Sequence, residues 1–587
     1  MTFKRTLLAV SIIAMTGGLT ACGGGGSDSS TPTTPTTPTT PTTPTNSAPT
    51  AVGVSNGSVN ENTFGAIVGT LSVEDPDAND THTLSLESDT FAIDGTTLKL
   101  RDDVRLDADG GVTSVDVAVT ATDAAGEAVT TTLSININDI LDRYTFDSQL
   151  NNGESSVSYT GQIARHALIE ELNTFMKSGL QADLDAGVIT TRQGVMDKLN
   201  SLFRTTEFQY PDLPITFLDN AKQNLISEIS GSHKNLVGKL AGNDEAGQHK
   251  NWLTGDFAGW NDTGSTTPEG LVDTLFNLLA DNAAAHLSGS VRTDFNGNPI
   301  TKVYIDENGV DLQQLIQKFL LMGVAYSQGT DDYLGVDTEG KGLLTDNTEA
   351  QSAGRPYTNL EHQFDEGFGY FGAAVNYLEY TDVEAAGNVT DEVGRADWDG
   401  AHDTDGDNAI DLTSEYNWGQ SVNAAKRDLG SAANAQPTDY TRQAMEAFIA
   451  GRKILNDNVG NDLTTGQMSD LETQVEAAVD AWERSIVATV IHYINDTRSD
   501  LADIGSDDFN YADLAKHFAE MKGFALGIQF NERSQLSDAD FATLHQLMGT
   551  QPVLTAGNIE AYRADLLEAR NLLQAAYGFD PVNVENW

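Results

Sequence analysis

Ser114-Val115-Asp116-Val117-Ala118-Val119-Thr120-Ala121 alternates apolar and polar residues without a break. A strand sends successive side chains to opposite faces, so this period of two predicts a half-buried strand. Leu133, Ile135 and Ile137 alternate in the same way, and shorter candidate strands lie near residues 67–73, 81–86 and 97–100. Several short strands between residues 48 and 142 predict a small all-β sandwich.

Near Tyr144 the period changes. Ile163, Ala167, Leu168, Leu172 and Phe175 fall on one helical face, as do Leu312, Leu315, Ile316, Phe319 and Met322. Val479, Ile486, Val490 and Ile494 continue the pattern in a long segment that begins near Leu471. Ile559, Tyr562, Leu566, Ala569, Leu573 and Ala576 form a final stripe. This spacing predicts an all-α domain over residues 143–587, with eight to eleven helices, more than one four-helix bundle holds. The expected fold class is therefore multidomain: a small all-β sandwich followed by a large all-α helical-bundle domain.

The chain opens with Met1-Thr2-Phe3-Lys4-Arg5, then a short apolar run ending in Leu19-Thr20-Ala21-Cys22. Residues 1–21 read as a secretion signal, too short for a comfortable membrane span. Cys22 is the only cysteine, so no intramolecular disulfide forms and no other thiolate is present to bind metal or attack a substrate. Residues 22–47 are a Gly/Ser and Thr-Pro linker with Pro32, Pro35, Pro38, Pro41 and Pro44 at every third position. That spacing favours polyproline II, a stiff spacer on the order of 80 Å long at about 3.1 Å per residue. Against 33 Lys and Arg stand 86 Asp and Glu, a formal charge of −53. Nucleic acid is excluded as a partner because it requires a basic footprint. The acidic surface suits solubility in saline water and the capture of cations by hard oxygen ligands.

The densest set of oxygen ligands runs from Asp397 to Asp411. Asp403, Asp405, Asp407 and Asp411 occupy positions 1, 3, 5 and 9 of an EF-hand-type loop, and apolar Ile410 occupies position 8. Asn408 stands at position 6, and the glutamate falls one residue late at Glu415. This pattern predicts a calcium-binding aspartate loop completed by carbonyls or water. Two histidine motifs follow helical spacing. His362 precedes Asp365 and Glu366 by three and four residues, on a helix expected over residues 358–380. His517 precedes Glu520 by three, on a helix expected over residues 511–530. Such spacings place nitrogen and oxygen ligands on one helical face, and paired helices of this kind build metal sites inside bundles. His492 and the pair His166 and Glu170 lie on further helices and are candidates to join them. Gly367-Phe368-Gly369-Tyr370-Phe371-Gly372 spells a nucleotide-loop pattern, but it follows no strand, so close helix packing is the expected role.

Three resemblances extend this reading. Leu19-Thr20-Ala21-Cys22 resembles the lipobox of bacterial lipoproteins, which implies acylation of Cys22 and a lipid anchor in the membrane. Gly23 after the cysteine implies the outer membrane. Asn60-Glu61-Asn62, Asp75-Pro76-Asp77, Leu106-Asp107, Ala121-Thr122-Asp123 and Asn136-Ile137-Asn138-Asp139 resemble a single cadherin-like repeat of the Ig-like sandwich type. The strands bring Glu61, Asp107 and Asp139 to one end and Asp75, Asp77 and Asp123 to the other. The resemblance implies calcium, with the Glu61, Asp107 and Asp139 end the better candidate. The helical region resembles the imelysin superfamily of bacterial envelope proteins, built of two bundle repeats and linked to iron uptake. His517-Phe518-Ala519-Glu520 matches the His-x-x-Glu part of its motif, and Asn359-Leu360-Glu361-His362-Gln363-Phe364-Asp365 sits like its first-repeat motif, with aspartate for glutamate.

Together these imply an outer-membrane-anchored, calcium-binding lipoprotein whose helical domain binds iron, another transition metal or a metal-bearing ligand. Its expected role is that of an iron-uptake accessory, with an iron-uptake or cell-surface protein as partner. The alternative is an adhesion or interaction protein in which calcium is purely structural. Hydrolysis is the weakest reading, with no His-Glu-x-x-His and no nucleophile elbow, so no enzymatic activity is expected.

Overall fold

Eight strands build the N-terminal unit of the computed structural model, which describes residues 46–102, 104–108, 112–244, 248–389, 403–555 and 557–587. The signal segment, Cys22 and nearly all of the linker lie outside the described residues. The strands are β1 (Ala51–Val54), β2 (Ser58–Asn60), β3 (Ile67–Glu74), β4 (Thr83–Leu86), β5 (Phe91–Asp94), β6 (Thr97–Leu100), β7 (Ser114–Thr122) and β8 (Ala128–Asn138). They form two four-stranded sheets, β1-β3-β6-β5 and β2-β8-β7-β4. β2 pairs with β8 in parallel, from Ser58 opposite Asn136 to Asn60 opposite Asn138. β7 and β8 pair antiparallel along nine registered positions, from Ser114 opposite Asn136 to Thr122 opposite Ala128. The alternation works as expected: Val117, Val119 and Ala121 of β7 are buried with Ile135 of β8, against Val68, Leu71, Leu98 and Leu100 of the other sheet.

Residues 140–587 form a second compact unit with its own continuous core. Among the described residues its helices of nine residues or more are α1 (Thr160–Thr174), α2 (Arg192–Phe203), α3 (Pro268–Leu287), α4 (Leu312–Leu320), α5 (Asn359–Phe371), α6 (Gly419–Ser431), α7 (Tyr440–Asp457), α8 (Thr465–Asp503), α9 (Tyr511–Gly527), α10 (Asp538–Met548) and α11 (Ile559–Tyr577). α8 is the spine: α6, α7, α9 and α11 all pack against it. It begins with a capping box in which Thr464 and Gln467 satisfy each other's backbone amides. No described helix is long and apolar enough to cross a membrane.

Two features depart from simple helical periodicity. α4 continues into π-helical turns at Leu321–Tyr326 and Gln328–Tyr333. A Cβ on Gly329 would lie 2.7 Å from the Trp482 ring, so glycine is what lets this widened segment press against α8. α5 ends at Phe371, not near Tyr380, because Gly372 takes a left-handed conformation (φ 72°) and turns the chain. Beyond it Ala374 N donates to Asn417 Oδ1 and Val375 N to the Ser414 carbonyl. These tertiary bonds replace the helical ladder.

Candidate functional site

The acidic loop folds around its own carboxylates. Asp403 Oδ1 accepts from Gly406 N at 2.7 Å, and its Oδ2 accepts from Asn408 N at 2.8 Å. Asp407 Oδ1 accepts from Ala409 N at 2.8 Å. Asn408 is left-handed (φ 67°), which a turn of this tightness demands. Ile410 is fully buried; its N donates to the Asn220 carbonyl and its carbonyl accepts from Lys222 N, both at 2.9 Å. The apolar position therefore pins the loop to the turn at Asn220–Lys222 through an isolated bridge between Ala221 and Ile410. Glu415 is almost fully buried beneath the loop, with Oε1 accepting from Thr404 N and Oε2 from Asp411 N, each at 2.8 Å.

Carboxylate oxygens of Asp403, Asp405 and Glu415 lie within 4.8 Å of one another. Asp411 stands apart, its Oδ1 accepting from Thr413 N and Gln223 Nε2. One cation is already supplied by the chain. Lys222 Nζ sits 2.9 Å from Asp407 Oδ2 and 3.1 Å from Asp405 Oδ2, which lowers the Asp407 pKa and raises its own. The arrangement can hold a hard cation on three carboxylates, with Lys222 neutralising the outer rim. Asp397, the start of the motif, lies outside the described residues.

In the β unit the oxygen cluster is at one end of the sandwich. Asp75, Asp80 and Asp123 have carboxylate oxygens within 4.8 Å of one another. Asp75 Oδ2 is 2.8 Å from His82 Nε2, which holds its carboxyl below the usual range, and Asp123 Oδ2 accepts from Asn46 at 2.8 Å. Asp77 points elsewhere and accepts from Ser47 N at 2.7 Å. At the opposite end Glu61 is fully buried and its Oε2 accepts from Ala108 N at 2.5 Å, while Asp107 and Asp139 are exposed. Glu61, Asp107 and Asp139 do not form such a trio among the described residues.

The two histidine motifs are not brought into one trio of ligand atoms among the described residues. On α5, His362 Nε2 lies 3.8 Å from Glu366 Oε1, its Nδ1 lies 3.0 Å from the Ser158 carbonyl, and its ring stacks on Tyr357. Asp365 is engaged by other partners. It receives Arg452 Nε at 2.7 Å, Tyr144 Oη at 2.9 Å and Ser158 N at 2.9 Å. On α9, His517 Nδ1 lies 2.7 Å from Asp500 Oδ2, while Glu520 lies 3.5 Å from Lys318 Nζ. His166 is a core residue: burial lowers its pKa to about 4, its Nε2 faces the Tyr370 carbonyl, and its ring stacks on Trp418. Glu170 accepts from Gln317 and Asn173.

Spacing alone missed Arg452, Glu361, Asp496 and Asp500. The signal for the last two was present, since His492, Asp496 and Asp500 recur every four residues. Half-buried His249 joins buried Asp331, 82 residues away, with Nδ1 2.8 Å from Oδ1. The glycines of the nucleotide-like pattern are packing residues. A Cβ on Gly367 would lie 2.7 Å from Leu334 Cγ, and one on Gly369 would lie 2.7 Å from Tyr159 Cβ.

None of the curated proteins compared with this chain matches it. Residues 142–384, which open the helical unit and stop short of the acidic loop, match one family model, described as a domain of unknown function (DUF4856).

Proposed function

We propose that this chain is a lipid-anchored protein of the bacterial cell envelope that binds calcium through the Asp403–Glu415 loop of its helical unit. One observation carries the calcium reading: oxygens of Asp403, Asp405 and Glu415 converge within 4.8 Å while backbone amides of the loop hold the carboxylates in place. Three carboxylates held this close repel one another, and a divalent ion relieves that repulsion. The anchor rests on Cys22 and the signal segment before it. Calcium titration of the full chain by calorimetry tests the site, with Asp403→Asn and Glu415→Gln as the informative variants. Loss of the heat of binding in both supports the reading, and an unchanged isotherm in both refutes it. Metabolic labelling with a fatty acid, set against Cys22→Ser, tests the anchor.

A second reading is favoured by the Asp75, Asp80 and Asp123 trio. In it the chain is an adhesion or interaction protein, and calcium stiffens the sandwich. The imelysin-like role in iron uptake rests on the resemblance around His517 and His362. Iron-limited growth of cells carrying His362→Ala with His517→Ala tests it: growth equal to that of cells with the unaltered protein would refute it.

A further inference from the structure

Three helix connections meet in the helical unit and frame two clefts that share nothing with the acidic loop. The α3–α4 connection makes two tight turns of one sequence pattern, Asp294-Phe295-Asn296-Gly297-Asn298 and Asp306-Glu307-Asn308-Gly309-Val310. In the first, Asp294 Oδ1 accepts from Asn296 N and Asn298 N, each at 2.8 Å. In the second, Asp306 Oδ1 accepts from Asn308 N at 2.9 Å and from Val310 N at 2.8 Å. Gly297 (φ 84°) and Gly309 (φ 81°) supply the left-handed residue of each turn. Arg292 ties the connection together, donating through Nη2 to the Lys302 carbonyl at 2.8 Å and through Nη1 to the Ile305 carbonyl. Each turn is thus held by its own aspartate before any ligand arrives, which lowers the ordering cost of binding.

One cleft, of about 490 Å³, lies between the first turn and the α8–α9 connection, with Asp507, Asp508, Phe509 and Tyr511 in its wall. The other, of about 690 Å³, lies between the two turns and the α10–α11 connection, with Gln551, Pro552, Leu554 and Thr555 in its wall. Both fall in the range of about 300–1,000 Å³ usual for small organic ligands. Phe295 lines the second cleft and is 38 % exposed. Its ring centroid lies 5.8 Å from that of Phe509 and 6.2 Å from that of Tyr511, both in the wall of the first. Tyr511 Oη donates to the Asp306 carbonyl at 3.0 Å, which fixes this aromatic group to the second turn. Around it the side chains of Asn296, Thr301, Gln551 and Thr555 are exposed and make no hydrogen bond among the described residues.

Charge narrows the ligand. Asp294, Glu307, Asp507 and Asp508 line the clefts against one cation, Lys302, so an acidic ligand is repelled. The remaining demands are an apolar face for the rings and many hydroxyls for the amides and carboxylates. A pyranose meets both. The C–H groups of one sugar face pack on the negative face of an aromatic ring. Neighbouring sugar hydroxyls match a primary amide, which also presents a donor and an acceptor side by side.

We propose that the two clefts form a binding site for an uncharged oligosaccharide, with Phe295 as the stacking platform between them and Asn296 and Gln551 as hydroxyl-binding groups. The sugar chain crosses the Asp294–Asn298 turn from one cleft to the other. The site shares no residue with the proposed calcium loop and needs no metal.

The test is calorimetric titration of the full chain, at fixed calcium, with hexasaccharides of glucose, mannose, xylose and galactose, and with an alginate hexasaccharide as the acidic comparison. Binding of at least one uncharged hexasaccharide is expected, and none of the alginate. Phe295→Ala is expected to weaken it about 10-fold or more. Asn296→Ala and Gln551→Ala are expected to weaken it about 2- to 10-fold each. Phe295→Trp should retain binding and report it through a change in tryptophan fluorescence, and Asp403→Asn should leave the isotherm unchanged. The first turn is bonded through the backbone amide of Asn296, so Asn296→Ala keeps the test decisive should Phe295→Ala fail to fold. No heat with any uncharged hexasaccharide, tighter binding of the alginate, or parental affinity in folded Phe295→Ala or in Asn296→Ala would overturn the proposal. So would a parent chain that sediments as a dimer with a Phe295→Ala variant that sediments as a monomer, since the clefts would then be a contact between copies.

Discussion

Arg452 Nε donates to Asp365 Oδ1 at 2.7 Å, and neither side chain is exposed to solvent. Nη1 of the same guanidinium donates to Glu361 Oε1 at 2.7 Å, and Nη2 donates to Ser156 Oγ at 2.8 Å. One cation from α7 therefore neutralises two carboxylates of α5. They hold its pKa above the ordinary value even though burial acts in the opposite direction. Arg452→Met leaves both carboxylates buried without a counter-charge and is expected to cost about 3–5 kcal/mol. Urea unfolding of the helical unit, followed by tryptophan fluorescence, measures this. A loss under about 1 kcal/mol would mean that the carboxylates find water or protons instead.

Gly369 and Gly372 are expected to be intolerant of alanine for two different reasons. A Cβ on Gly369 would lie 2.7 Å from Tyr159 Cβ and 3.0 Å from Gln162 Cβ, an overpacking of α5 against α1 that costs about 1–3 kcal/mol. At Gly372 the left-handed backbone and a contact 2.8 Å from Trp418 Cβ add together. Thermal unfolding of the two alanine variants should show both shifted down, with Gly372→Ala the more affected. Nucleotide affinity should be undetectable before and after, since the motif serves packing.

Much of this architecture was legible in the sequence, and the failures are instructive. The strand predicted at 97–100 has those bounds, and Ser114–Ala121 grew by one residue, because period-two alternation over a buried face leaves little freedom. β1, β2 and β5 were missed: β2 has only three residues, and Ala51-Val52-Gly53-Val54 and Phe91-Ala92-Ile93-Asp94 do not alternate polar with apolar as Thr97-Leu98-Lys99-Leu100 does. In the site, spacing could not distinguish i+3 from i+4 around His362. Glu366 faces it, whereas Asp365 turns to Arg452, a partner 87 residues away that no local pattern announces. The same limit hid the pairing of His517 with Asp500 on the neighbouring helix.

Lys522 is fully buried, and burial lowers its pKa to about 7. Its Nζ donates to His545 Nδ1 at 2.8 Å, and His545 Nε2 faces the Ala525 carbonyl at 3.3 Å. The unfolded chain keeps such a lysine protonated up to about pH 10.4. Between about pH 7 and 10.4 the unfolded state therefore binds more protons, and the stability contribution of Lys522 rises with pH. Below pH 7 its penalty is present in full. Lys522→Met removes that penalty and should stabilise the helical unit most at or below neutral pH, with the gain shrinking toward pH 10. Denaturant midpoints of the two proteins across this range give the difference directly; a gain independent of pH would exclude the buried amine as its source.

Lys222 bridges Asp405 and Asp407 on the rim of the acidic loop, where a divalent ion would compete for the same oxygens. An ammonium there lowers the cost of bringing the aspartates together without calcium, and it repels an incoming cation. Lys222→Met removes both effects. The calcium-free variant should be less stable than the parent, because two neighbouring aspartates lose their counter-charge. Its calcium affinity should rise, since no positive charge opposes entry and no ion pair needs to break. A ligand at about 100 times its Kd stabilises the folded state by about 2.7 kcal/mol. At one fixed calcium concentration the variant should therefore show a wider gap than the parent between calcium-loaded and chelator-treated midpoints. Equal gaps would mean that calcium, if bound, does not use Asp405, and would move the coordinating role onto Asp403 and Glu415 alone.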